Sequence, residues 1–182
     1  MQEHWVQSRR VEAEVYTQLG WVSGVLHVIE GAMFFDALNR RSKSGAFLKL
    51  TSAKLPERPD PLPFFGIRRE AALLIVPKAG EELLDEYRGA AQGTQSYRIQ
   101  CYLEKGVVRG TLDLASGARV SDFLRNPPEF FVLRNCRGSF WPEQSADGTP
   151  NIKPVLAVNI QAVIGVDDAP PATRDEAGAS PA

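Results

Sequence analysis

Two histidines, two cysteines and a pair of aspartates in matching contexts are the side chains with the types and spacing for nucleophilic, redox or acid–base chemistry. A catalytic imidazole needs a nucleophile and an orienting acid within reach. No Gly-x-Ser-x-Gly accompanies His27, and the alternation around it puts the ring on the outward face of a strand. His4 lies in a polar lead-in. Cys101 falls at an inward strand position and Cys136 near the end of another strand. Two sulfurs do not make a zinc site, and two cysteines in 182 residues are not a disulfide scaffold. Both read as small apolar side chains. Asp36 and Asp122 each open an Asp-x-Leu turn, where a carboxylate accepts backbone N–H bonds. Their repetition argues for structure, since one active site needs only one acid pair. No catalytic, cofactor-binding or metal-binding residue is therefore expected.

Binding chemistry is better represented. Arg40, Arg41 and Lys43, with Lys49 nearby and Arg68 and Arg69 further on, form a candidate patch for an anionic ligand. The competing reading is a solvated basic loop balanced by the acidic segment 81–86. The formal net charge of −1 supplies no overall positive field toward nucleic acid. Aromatic doublets occur at Phe34-Phe35, Phe64-Phe65 and Phe130-Phe131, and in a strand one member of a doublet points outward. Phe34, Phe64 and Trp141 are the candidate partner-binding anchors.

These residues must be positioned by a unit that occurs twice. Val15–Leu38 and Cys101–Leu124 align without a gap, and 9 of the 24 positions are identical: Tyr16/Tyr102, Gly20/Gly106, Val22/Val108, Gly24/Gly110, Leu26/Leu112, Gly31/Gly117, Ala32/Ala118, Asp36/Asp122 and Leu38/Leu124. Chance would give about one or two. Hydrophobic content of 43% and charged content of 24% are ordinary for a globular chain. No run of apolar residues is long enough to span a membrane, and the N-terminus lacks the apolar core of a signal peptide. A cytoplasmic location is the expectation.

In order, residues 1–10 form a lead-in, 11–77 the first repeat, 78–96 a partly helical linker, 97–166 the second repeat and 167–182 a disordered tail. Val11, Ala13, Val15 and Thr17 alternate with polar residues as in a half-buried strand, and Gly20 turns the chain into a returning strand. A short helical bend follows, with Ser121 as N-cap in the second copy, and then three more strands. Residues 56–63 carry four prolines and read as a loop. Residues 138–154, holding Trp141, read as a long loop. Five short twisted strands close most simply into a barrel. The expected fold is all-β: two tandem five-stranded small barrels with pseudo-two-fold symmetry and a short helical turn in each.

Each copy resembles the Sm-like small barrel, the fold of the Sm and Sm-like RNA-binding ring proteins, and more loosely an SH3-like barrel. The resemblance is carried by Gly24, Leu26, Glu30, Met33 and Phe34, and by Ile67-Arg68-Arg69 ahead of AALLIV. It covers most of each half. It implies a base-binding pocket at an Asn after the Met and at the Arg of the second signature. Here those positions hold Phe34 and Val120, and Val158-Asn159 stands where the first copy has Ile67-Arg68. The tandem Asp-x-Leu element is more similar to a bacterial family of tandem barrels than to a ring-forming Sm protein. The leading expectation is a non-enzymatic scaffold or adaptor that binds a protein partner by edge-strand pairing or on exposed aromatics, with self-association as a further option. RNA or nucleotide binding through the basic patch is the alternative.

Overall fold

The computed structural model describes residues 8–40, 45–78, 83 and 93–168. The chain is all-β. Five strands come from the first repeat: β1 (Ser8–Thr17), β2 (Gly20–Ile29), β3 (Phe47–Lys54), β4 (Leu62–Arg68) and β5 (Leu74–Pro77). Five come from the second: β6 (Thr94–Leu103), β7 (Gly106–Ala115), β8 (Phe130–Gly138), β9 (Lys153–Asn159) and β10 (Val163–Asp168). One-and-a-half-turn helices, α1 (Phe34–Asn39) and α2 (Val120–Arg125), follow the two hairpins. A single 3-10 turn links β4 to β5 (Arg69–Ala71) and β9 to β10 (Ile160–Ala162).

The hairpins form as the period of two requires. Val11, Ala13, Val15 and Thr17 are all buried, and β1 pairs with β2 from Ser8↔Ile29 to Thr17↔Gly20. Both third strands carry a bulge, at Ser52 (φ 51°) and Asn135 (φ 50°), with a register shift against the preceding strand. There the strands approach so closely that only glycine fits opposite. A Cβ on Gly24 would lie 2.9 Å from Leu50 Cδ2, and one on Gly110 would lie 3.0 Å from both the Arg134 carbonyl oxygen and Cys136 Sγ. The repeated Gly24/Gly110 identity is thus a packing requirement.

The sheet order is β10-β6-β7-β8-β9-β5-β1-β2-β3-β4. Each half keeps the order fifth-first-second-third-fourth, but neither half closes its own sheet. Instead β5 pairs antiparallel with β9, through Leu74↔Val158 and Ile75↔Ala157, and the two halves merge into one open sheet. The pleat makes the shared strands serve two cores. Ile75 and Ala157 face the first core, with Val15, Leu50, Ile67 and Phe34. Leu74, Val76, Leu156 and Val158 face the second, with Ile99, Cys101, Leu133 and Trp141. All residues of β5, and Val155 through Asn159 of β9, are buried.

Several boundaries differ from expectation. β1 starts inside the lead-in at Ser8, β4 starts inside the proline loop at Leu62, and β10 extends to Asp168, inside the expected tail. Ser121 does not cap α2, since the cap position is Arg119, whose backbone N–H donates to Asp122 Oδ2 at 3.3 Å. The remaining lead-in, most of the linker and the rest of the tail lie outside the described residues, as do His4, Arg41 and Lys43. Among the described residues no helix is long and apolar enough to cross a membrane.

Candidate functional site

The basic patch does not assemble as its sequence spacing suggests. Arg69 is buried, with an exposure of 8%. Its Nε and Nη2 donate to the Glu129 carboxylate at 2.8 and 3.0 Å, Nη2 also donates to the Leu38 carbonyl, and the guanidinium lies 5.1 Å from the Phe130 ring centroid. With Nε and Nη2 so engaged and the side chain buried, Arg69 is a structural cation and not part of an exposed anion site. Arg68 projects outward and pairs with Glu70 at 2.7 Å. Arg40 and Lys49 are exposed.

The aromatic candidates separate in the same way. Phe34 is fully buried in the first core, because it opens α1 on the face that packs against the sheet. Trp141 is also buried, and its Nε1 donates to the Asn151 carbonyl at 2.9 Å. Neither is an exposed anchor. The long loop instead clasps the first repeat: Trp21 Nε1 donates to the Phe140 carbonyl at 2.9 Å, and Tyr16 packs edge-on to Phe140. Phe130 and Phe131 are both buried, since β8 lies between the two cores. Only Phe64 meets the expectation of exposure, at 57%.

The residues capable of catalysis stay apart. His27 Nε2 lies 2.9 Å from Thr51 Oγ1 on the outer face. The matching site of the second repeat holds Asp113, which accepts from Arg134 at 2.6 and 2.7 Å and from Ser96 at 2.5 Å. Cys101 and Cys136 are free thiols in the second core. Burial pushes Cys101 from 9.0 up to about 12. Cys136 is raised as well, by burial first and by Cys101 second. Thiols held protonated in this way are poor nucleophiles. No group of three or more potential metal ligands occurs among the described residues. A cleft of about 400 Å³ lies between α1 and α2, and Asp36, Asn39, Thr94, Asp113, Phe123 and Phe130 are among its lining residues; of its two carboxylates, Asp113 is bound by Arg134 and Ser96.

What the fold presents outward is two strand edges. β4 and β10 end the sheet, each with one side unpaired among the described residues. Apolar side chains stand on or beside them: Phe47 at 48%, Phe64 at 57% and Ile164 at 73% exposure. Sequence reasoning missed Phe47 and Ile164. For Ile164 the signal was the lack of a charged residue at the centre of its edge strand, where a protected edge usually carries one; Phe47, on β3 next to the edge, had none.

Compared with known proteins, the chain matches no family model, no curated protein and no solved structure.

Proposed function

We propose that the chain is a non-enzymatic scaffold, built from two Sm-like or SH3-like small-barrel units, that binds a protein partner by strand addition at its open edges. The observation that carries this reading is the pair of apolar edges, β4 and β10, with Phe64 and Ile164 exposed. An unpaired edge offers a row of N–H and C=O groups to an incoming strand, and the apolar side chains supply contact area. In support of the small-barrel units, all five strands of each repeat send side chains into one core. Affinity capture with the wild type and with a Phe64→Lys, Ile164→Lys variant tests the reading. Proteins retained by the wild type and lost by the variant support it, and an identical set overturns it.

RNA binding is the second reading, favoured by the exposed Arg40, Lys49 and Arg68, the last two on the paired strands β3 and β4. Titration of a fluorescent single-stranded RNA at rising salt checks it. Binding that weakens, with a flatter salt slope, in an Arg40→Ala, Arg68→Ala variant would favour it.

A further inference from the structure

The cleft between α1 and α2 is built jointly by the two repeats. Its lining includes the buried, apolar Leu112, Phe130 and Phe131. Two further rings are held in place from opposite cores. Phe35 packs edge-on against Phe34 of the first core, with centroids 5.1 Å apart. Phe123 packs in the same way against Phe131 of the second core, at 5.5 Å. Asn39 fixes α1 to β8: its side chain donates to the Phe130 carbonyl at 2.8 Å and accepts from the Phe130 N–H at 2.9 Å. Rings and helix are therefore set before any ligand arrives, which lowers the ordering cost of binding. A mostly apolar cleft of this size with a few polar groups, placed where two units meet, is the usual form of a small-molecule site.

The charge in the cleft reduces to one carboxylate. The lining residues include two acids and no base. Asp113 is engaged by Arg134 at 2.6 and 2.7 Å and by Ser96 at 2.5 Å. Asp36 is exposed at the rim, and its side chain neither caps α1 nor pairs with any described residue. The turn role expected of both repeated aspartates is performed by Asp122 alone. Asp122 accepts from the Arg119 N–H at 3.3 Å and lies 3.7 Å from Arg125.

The second repeat does not copy the site. The gapless repeat equates Phe35 with Ser121, Asp36 with Asp122 and Asn39 with Arg125. Thus α2 lacks the ring and the link to a neighbouring strand, and its carboxylate is already occupied.

We infer that this cleft binds a small amphipathic amine, with an aromatic or branched apolar body against Phe35 and Phe123 and one ammonium group received by Asp36. About 400 Å³ holds roughly a dozen non-hydrogen atoms, at about 30 Å³ each. The negative faces of aromatic rings favour a nearby cation as well. An anionic ligand would meet Asp36 with no lining cation to balance it. Neither the open edges nor the basic residues take part, so the site is independent of the docking role proposed above.

Proton–nitrogen correlation NMR of the full chain, titrated with phenethylammonium chloride to tens of millimolar, tests this. Saturable shifts should centre on Phe35, Asp36, Asn39 and Phe123. The amine should bind at least about threefold more tightly than phenethyl alcohol, its neutral counterpart. Phenylpropionate, an anion of similar length, should not saturate. Asp36→Asn should bring the amine down to the affinity of the alcohol. Phe35→Ser, which installs the residue of the second repeat, should weaken both roughly fivefold. N-acetyl-lysine methylamide carries the same charge on a peptide and should bind more weakly, because its unbranched chain leaves the rings uncovered. Dispersed spectra confirm that each variant is folded, and Phe123→Ala is a second wall variant if Phe35→Ser is not. Shifts that never saturate, that map away from these residues, or that persist unchanged in Asp36→Asn would overturn the inference. So would equal binding of the anion or tighter binding of the lysine derivative.

Discussion

Phe130 and Phe47 occupy the same position in the two repeats, yet Phe130 is sealed beneath Arg69 and bracketed by Asn39, while Phe47 is 48% exposed. The difference is made by a neighbouring repeat and not by the strand itself. Removing that neighbour's groups should therefore cost stability at Phe130 and nothing at Phe47.

The Arg69–Glu129 pair gives the sharpest case. Its side chains are 10% and 17% exposed, and breaking a buried pair by removing one partner costs about 3–5 kcal/mol. Glu129→Ala should lose stability on that scale. The double variant Arg69→Ile, Glu129→Ala leaves no buried charge without its partner and should recover much of the loss. Urea denaturation of the single and double variants, read as a double-mutant cycle, measures it.

Asn39 both donates to and accepts from the Phe130 backbone, at 2.8 and 2.9 Å. Asn39→Ala leaves two buried backbone groups without these partners, at about 1–3 kcal/mol. Arg125→Ala, at the matching exposed position, should change monomer stability by less than about 0.5 kcal/mol. Thermal melts at low protein concentration separate the two.

Gly24→Ala and Gly110→Ala should each destabilise by about 1–3 kcal/mol through overpacking. The new methyl would meet Leu50 in one repeat and the Arg134 carbonyl oxygen and Cys136 in the other. Gly165→Ala, where a Cβ meets nothing within 4 Å, is the control, with no such loss expected in the same denaturant series.

Because Cys101 is raised from 9.0 to about 12 by burial, the native state keeps a proton that the unfolded chain releases above about pH 9. The unfolded state binds fewer protons in this window, so stability should fall as pH rises from about 9 toward 12. Cys136, raised in the same direction, adds to the slope. Denaturant midpoints at pH 8 and above pH 9 should differ less in a Cys101→Ala, Cys136→Ala variant. Iodoacetamide should label neither thiol in the native state except through unfolding.

Much of this fold was legible in the chain. The nine shared identities marked the repeat, and the alternation of Val11, Ala13 and Val15 marked the inner face of β1. The merging of the halves was carried by a subtler signal. Leu74-Ile75-Val76 and Val155-Leu156-Ala157-Val158 are unbroken apolar runs, the pattern of strands buried on both faces. A strand at the rim of a self-contained barrel would not need both. Arg69 and Trp141 could not be placed from sequence, because their type favours exposure or contact and only their tertiary neighbours bury them. Phe34 misled for a related reason: it opens a helix, where a strand's in-and-out rule does not apply.

The chain carries its repeats in tethered pairs, and β5 cannot leave β9 without stripping both cores. Opening either half alone would expose apolar side chains of the other, so the two repeats should melt as one cooperative unit and not in two steps.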